Sequence, residues 1–142
     1  MPERSSQAVW EGDLQSGHGT MKIGSGAWEG PYSFKSRFEN GAGTNPEELL
    51  AAAHAGCYSM ALAAALTKAG NPPKGVKTSA KVELRKEAEG FRIAKIHLTT
   101  AASVTGIDNA KFQEIAEQAK KNCPVSKVLS GAEISLDAKL AS

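Results

Sequence analysis

The sequence predicts one α+β domain, residues 1–142, with mostly antiparallel sheets and a long buried central helix. Three observations indicate this class. Strand-like segments separated by glycines fill residues 1–40, and an apolar, alanine-rich run fills residues 45–70. Residues 75–142 then alternate between strand and helix patterns, as a hairpin, helices and a final strand. A chain of this length can bury a hydrophobic core of its own.

Three strands are expected in the N-terminal segment, at residues 8–11, 19–23 and 31–38. Glycines between them supply the turns. In the third strand, Tyr32, Phe34 and Arg37 are hard to place on one face, so a bulge or an end effect is expected there.

The central helix has clear start and stop signals. Asn45 suits the N-cap position and Pro46 the first helical position, with a glutamate three residues after the cap. Gly70 suits the C-terminal stop, and two prolines follow it. Because this helix is apolar nearly all round, we expect it to be buried on most sides. Its alanines would permit close approach of another helix or sheet.

The C-terminal segment begins with an alternating strand, residues 76–85, and a hairpin turn at Glu89-Gly90. The returning strand changes phase, which predicts a bulge near Ala94-Lys95. A second helix follows, with Asp108 as its cap. Its buried stripe is expected to comprise Phe112, Ile115, Ala116 and Ala119.

The last elements are a short helix and a strand. Pro124 suits the start of a helix that runs to Leu129. Residues 134–140 alternate between apolar and polar side chains, which indicates a final half-buried strand.

Composition excludes several classes of protein. The formal net charge is +2 with scattered basic residues, so a clustered basic face for nucleic acid is not expected. No apolar run reaches the roughly 18 residues of a membrane span, and the N-terminus lacks the apolar segment of a secretory signal. We therefore expect a cytoplasmic protein with no nucleic-acid or membrane partner. In that compartment, paired cysteines are more often catalytic or metal-binding than structural.

The two cysteines make thiol redox chemistry the first hypothesis. Cys57 lies in the apolar helix, where burial alone would raise its pKa and leave it inert. A reactive Cys57 would need a nearby cation to stabilise the thiolate, and His54, one turn earlier, could share that face. Cys123 would be the N-cap of the helix that starts at Pro124, where the positive end of the helix dipole lowers a thiol pKa. The alternatives are that Cys57 is a small core cysteine, His54 a partly buried helical histidine and Cys123 a loop cysteine.

Two other chemistries compete for the same residues. A zinc site would draw on Cys57, Cys123, His54, His18 and His97, but the sequence has no Cys-x-x-Cys or His-x-x-x-His pair. A cysteine hydrolase would use Cys57 with His54 as base, but no second element marks an oxyanion hole.

The segments around both cysteines resemble the OsmC/Ohr family of thiol peroxidases. Residues 43–62, GTNPEELLAAAHAGCYSMAL, resemble the family's central helix, and residues 122–129, NCPVSKVL, resemble its second cysteine segment. Residues 8–13 and 32–39 are similar to the OsmC (osmotically inducible protein C) branch. The likeness extends over residues 8–140.

The resemblance implies a reaction and a site. Cys57 would attack a peroxide as thiolate and become a sulfenic acid, and Cys123 would resolve it to a disulfide. An external dithiol, which is a lipoylated protein for some members, would restore both thiols. Arg37 would lower the pKa of Cys57 and hold the peroxide oxygen, and Glu47 would hold Arg37. Organic hydroperoxides are the expected substrates, hydrogen peroxide is a second candidate, and no metal, haem or other cofactor is implied.

Helix geometry and the resemblance together favour a homodimer. Ten helical residues separate Glu47 from Cys57, a rise of about 15 Å, so Glu47 must act through Arg37 or come from a second subunit. The family's intertwined homodimer would supply that subunit. Without the resemblance, Arg37 reads as a solvated strand residue and Glu47 as a helix-dipole partner. An apolar pocket is expected to involve Phe34, Phe38, Met60 and Phe112. A binding or stress-response protein without turnover, and a hydrolase, remain the alternatives.

Overall fold

The computed structural model describes residues 1–141. The helices and strands, in chain order, are β1 (Ser6–Glu11), β2 (His18–Ile23), β3 (Glu29–Tyr32), α1 (Phe34–Phe38), α2 (Pro46–Lys68), β4 (Gly75–Glu87), β5 (Gly90–Ser103), α3 (Asn109–Asn122), α4 (Pro124–Val128) and β6 (Glu133–Ala141). The chain divides into two compact units, Met1–Leu49 and Leu50–Ser142.

The first unit contains an antiparallel sheet in the order β1-β2-β3. The predicted third strand is wrong in its second half, because β3 ends at Tyr32 and α1 begins at Phe34. The cause is a capping box: the Ser33 hydroxyl accepts from the Ser36 N–H at 3.1 Å, and the Ser36 hydroxyl accepts from the Ser33 N–H at 2.8 Å. A helix therefore replaces the expected bulge.

The start and stop of α2 are as predicted. The Asn45 side-chain oxygen accepts a hydrogen bond from the Glu48 N–H at 2.7 Å, and Pro46 is the first helical residue. Gly70 follows the helix with a φ of 90°, a backbone conformation that favours glycine.

Burial of α2 differs from the prediction. Within the second unit, one stripe of the helix is fully buried; it consists of His54, Tyr58, Leu62 and Leu66. The opposite side is exposed, and Met60 there is 76% accessible. The expectation that the helix is buried on most sides is therefore wrong for the single chain. By length and composition, α2 is also apolar enough to cross a membrane, as the core helix of a soluble protein can be. The prediction that no apolar run reaches the length of a membrane span is therefore wrong.

The second unit contains a sheet in the order β4-β5-β6. The hairpin between β4 and β5 and the bulge on β5 are confirmed: Glu83 pairs with Lys95 and Leu84 with Ile93, which leaves Ala94 as the extra residue. The strand β6 runs parallel to β5, a departure from the mostly antiparallel expectation. Parallel pairing follows because two helices form the crossover between these strands.

The helices α3 and α4 are as predicted. The Asp108 carboxylate accepts from the Lys111 N–H at 2.8 Å, and α4 begins at Pro124. The buried stripe of α3 is the expected one, Phe112, Ile115, Ala116 and Ala119. These residues share one core with the buried stripe of α2 and with Cys123.

Candidate active site

The fold of the second unit brings the two cysteines together. Cys57 on α2 and Cys123 between α3 and α4 lie 66 positions apart in sequence, yet their sulfurs are 2.8 Å apart. Both are free thiols; Cys57 is partly exposed and Cys123 is buried. A disulfide bond is about 2.05 Å long, so the two sulfurs would have to move closer by less than about 1 Å to form one.

Cys123 is held by its own backbone at the junction of two helices. Its N–H donates to the Ala119 carbonyl at 2.9 Å, and its carbonyl accepts from the Lys127 N–H at 3.1 Å. Cys123 is thus the N-cap of α4, as predicted, although its side chain makes no regular capping hydrogen bond. The sulfur is positioned by main-chain contacts on both sides.

The two thiols differ in acidity. Burial raises the pKa of the Cys57 thiol, and the hydrogen bond with Cys123 raises it further. For Cys123, burial acts in the same direction, but the stabilising effects of the nearby Cys57 and Ser126 side chains and of the Val125 and Ser126 backbone outweigh it. The pKa of Cys123 is therefore lowered. The raised pKa of Cys57 agrees with the effect expected of burial in an apolar helix, and the lowering implied by the resemblance would require Arg37, a residue of the first unit.

His54 and Ser126 form a buried pair beside the cysteines. His54 Nε2 lies 2.7 Å from the Ser126 hydroxyl oxygen, and no partner for His54 Nδ1 is found within residues 1–141. Burial lowers the pKa of His54, which favours the neutral ring, so the idea of His54 as a cation for Cys57 loses support. Sequence reasoning assigned no role to Ser126. The feature of the sequence that could have indicated Ser126 is its position, three residues after Cys123 and third in α4.

Tyr58, next to Cys57 in sequence, is fully buried in the core that also contains Cys123. Its hydroxyl donates to the Ala116 carbonyl at 3.0 Å. Burial, with smaller effects of Glu117 and Cys123, raises the pKa of Tyr58, so the phenol stays neutral.

In the first unit, the structure brings Arg37 and Glu47 together. Arg37 Nε lies 3.0 Å from one Glu47 carboxylate oxygen, and Nη2 lies 3.0 Å from the other. The side chains are 36% and 9% accessible, respectively. This two-point contact fixes the plane of the guanidinium, because a fork of N–H groups matches a carboxylate. Arg37 is thus a paired helical residue and not the solvated strand residue that the sequence alone suggests.

A cavity of about 430 Å³ lies beside Arg37. Its walls are mainly aromatic and apolar, formed by Trp10, Leu14, Tyr32, Phe34, Arg37 and Phe38 with Gly12 and Ser33. Phe34 and Phe38 lie where an apolar pocket was expected. The same expectation is wrong for Phe112, which is fully buried in the core, and Met60 lies on the exposed face of α2.

The zinc alternative has no ligand cluster in residues 1–141, where no group of three or more His, Cys, Asp or Glu side chains could hold a metal ion. His97 forms a different contact, with its Nδ1 2.6 Å from the Ser135 hydroxyl in an exposed pair.

Comparison with known proteins relates the whole chain to one family. The family model for OsmC-like protein matches residues 39–139. The chain is 49% identical to peroxiredoxin OsmC of Escherichia coli (strain K12), over 98% of this chain and 97% of that protein. It is 35% identical to the organic hydroperoxide resistance protein OhrB of Bacillus subtilis (strain 168), over 72% and 71%.

The fold has counterparts among solved structures. An organic hydroperoxide resistance protein OsmC from Legionella pneumophila matches with a TM-score of 0.69, over 100% of both chains. Sequence identity is 21%, so this likeness shows a shared fold alone.

Proposed function

Because the chain belongs to the OsmC-like protein family, we propose that it is a cysteine-dependent peroxidase that reduces organic hydroperoxides in oxidative-stress defence. The observation that carries the proposal is the pair of free thiols 2.8 Å apart. The names of the curated relatives, peroxiredoxin OsmC and an organic hydroperoxide resistance protein, agree with it. We also assign the protein to the cytoplasm.

The proposed reaction has three steps. The Cys57 thiolate attacks the distal peroxide oxygen, the O–O bond breaks, and the alkoxide takes a proton and leaves as an alcohol. Cys123 then attacks the sulfur of the Cys57 sulfenic acid, the S–O bond breaks, and the oxygen leaves as water. An external dithiol, such as a lipoyl group on a protein, reduces the disulfide and is itself oxidised to a disulfide.

Arg37 is proposed as the cation that Cys57 needs. Since burial raises the pKa of the Cys57 thiol, a thiolate at neutral pH requires a positive charge to stabilise it. A guanidinium is always protonated. Glu47 engages Nε and Nη2 of Arg37, and Nη1 is not used in that contact. Glu47 is therefore the positioning residue, and Nη1 is the atom assigned to the peroxide oxygen.

The alkyl part of the substrate is assigned to the cavity beside Arg37. Its aromatic walls suit an apolar group, and the guanidinium is a charged group among them. A hydroperoxide has this same division, with a polar O–O–H end on an apolar body. Relative rates for cumene hydroperoxide and hydrogen peroxide measure how much the cavity contributes.

A homodimer is proposed through the exposed face of α2. Small side chains dominate this face, which consists of Ala52, Ala53, Gly56, Met60 and Ala64. A Cβ built on Gly56 would meet no atom within 4 Å, so another helix has room to approach closely. Burying such an apolar surface favours association. Sedimentation of a stable, fully active monomer would contradict this assembly.

The reaction is tested by mixing reduced protein with cumene hydroperoxide and counting free thiols. We expect loss of both thiols and a Cys57–Cys123 disulfide. Cys57→Ser should consume no peroxide, and Cys123→Ser should react once and stop as the sulfenic acid. Thiols that stay free under excess peroxide would contradict the peroxidase and favour ligand binding without turnover. Thioester hydrolysis that is blocked by alkylation of Cys57 would favour a hydrolase.

A further inference from the structure

A buried histidine–serine pair lies one helical turn from Cys123. His54 Nε2 lies 2.7 Å from the Ser126 hydroxyl oxygen, and Ser126, at the third position of the helix that Cys123 caps, also lowers the pKa of the Cys123 thiol. The Cys123 sulfur lies 2.8 Å from Cys57. His54, Ser126 and Cys123 are all buried, so this contact is shielded from competing water.

The tautomer of His54 follows from the single hydrogen of a serine hydroxyl. If Nε2 lacked a proton, Ser126 would donate its hydrogen to the ring and have none for Cys123. With the proton on Nε2, the histidine donates to Ser126, and the hydroxyl hydrogen is available for the sulfur. Nδ1 then carries only a lone pair, which agrees with its lack of a partner within residues 1–141.

We propose that Ser126 is a further catalytic residue, acting in the resolving step, and that His54 is the positioning residue that directs its hydroxyl. This rests on the proposed function. In the step, the S–H bond of Cys123 breaks, its sulfur displaces oxygen from the Cys57 sulfenic acid, and the released oxygen leaves with that proton as water. Ser126 donates a hydrogen bond to the sulfur as negative charge develops there. His54 stays neutral throughout.

Within residues 1–141, Cys57 is the titratable side chain that shifts the pKa of Cys123. Cys57 faces it from α2, and Tyr58 on the same helix is influenced by it. Glu117 on α3 acts on Tyr58. His54 contacts Ser126. A change in Cys123 reactivity on substitution of Ser126 or His54 can therefore be assigned to this contact.

The inference is tested by measuring the two chemical steps separately by stopped flow. Disulfide formation in Ser126→Ala is expected to slow by roughly 10- to 100-fold, the range for losing one hydrogen bond to a charged group, while sulfenic acid still forms. Ser126→Thr, which keeps the hydroxyl, should recover most of the rate. His54→Leu should slow disulfide formation, and His54→Gln, which keeps a donor, should recover part of it.

Two controls separate this role from general damage. Ser130→Ala removes an exposed hydroxyl near Ser126, since both serines line one surface cavity of the second unit. The paired change His97→Gln with Ser135→Ala removes a histidine–serine contact that faces solvent. Both should leave the rate of disulfide formation unchanged. Equal rates in Ser126→Ala and Ser130→Ala would overturn the inference.

A second measurement does not require peroxidase activity. In Cys57→Ser protein, the rate of Cys123 alkylation by iodoacetamide is followed against pH, under mild denaturant if burial slows it. The pH midpoint should rise when Ser126→Ala is added, because the thiolate loses a donor. An unchanged midpoint overturns the inference. A shifted midpoint in a protein whose thiols ignore peroxide would support the Ser126 contact and reject the proposed peroxidase.

Discussion

The Arg37–Glu47 pair and the Cys57–Cys123 pair are built in opposite ways. Arg37 and Glu47 are ten positions apart, and each lies next to a capped helix start. The cysteines are 66 positions apart and meet only because α2 and α3 pack into one core. The ion pair therefore depends on local capping and on two-point geometry. The thiol pair depends on the packing of the second unit, so the two pairs should respond to different substitutions.

The largest expected effect is on the packing that holds the thiol pair. Phe112→Ala removes a fully buried ring from the core that contains Cys123, and should lower the free energy of unfolding by about 3–5 kcal/mol. Disulfide formation should slow as well. Urea unfolding of the reduced protein measures the first effect. Val128→Ala, at a side chain that is 78% exposed, is the control and should change stability by less than about 0.5 kcal/mol.

The ion pair is next. Arg37→Met should reduce the rate of sulfenic acid formation roughly 100-fold, the typical cost of losing one preorganised charge-stabilising group. It also leaves the buried Glu47 carboxylate without its partner. Stopped-flow reaction with cumene hydroperoxide measures the rate. Lys35→Met removes a positive charge from an exposed position of the same helix and should have little effect. Equal losses in both variants would reject a specific role for Arg37.

The smallest expected effect is a pH dependence of stability. Burial lowers the pKa of His54 from 6.5, so between 6.5 and the lower folded pKa the unfolded chain binds up to one more proton than the folded protein. The free energy of unfolding should then fall as the pH drops below 6.5, by at most about 1.4 kcal/mol per pH unit for one group. His54→Gln should flatten this dependence and His97→Gln should preserve it. The midpoints of urea unfolding, measured at several pH values for the unsubstituted protein and both variants, test this prediction.

Local signals predicted much of the fold. Asn45 and Asp108 were recognisable caps, and the phase slip at Ala94 was visible as a bulge, because each depends on a few neighbouring residues. The wrong prediction in the first unit, a strand where α1 forms, also has a local cause. The aromatic residues around Phe34 favoured a strand, and the capping box of Ser33 and Ser36 outweighed that propensity.

The candidate site was predictable only in part. Cys57 and Cys123 were candidate reactive thiols from the sequence itself, and Arg37 and Glu47 were named through the family resemblance, whereas Ser126 was not named. His54 and Ser126 are 72 positions apart, and a serine after Cys-Pro-Val carries no signal of a buried histidine partner. Burial raises the pKa of Cys57, whereas the resemblance implies that Arg37 lowers it. The extent of that burial depends on tertiary packing.

In the proposed reaction, the burial of Cys123 also decides where the dithiol attacks. Cys57 is partly exposed and Cys123 is buried, so the proposed reductant would reach the disulfide at the Cys57 sulfur, with Cys123 as the leaving group. A thiol with a lowered pKa departs faster, and the pKa of Cys123 is lowered. The mixed disulfide intermediate therefore forms at Cys57. The hydrogen bonds that prepare Cys123 for closing the disulfide also ease its release when the disulfide is reopened.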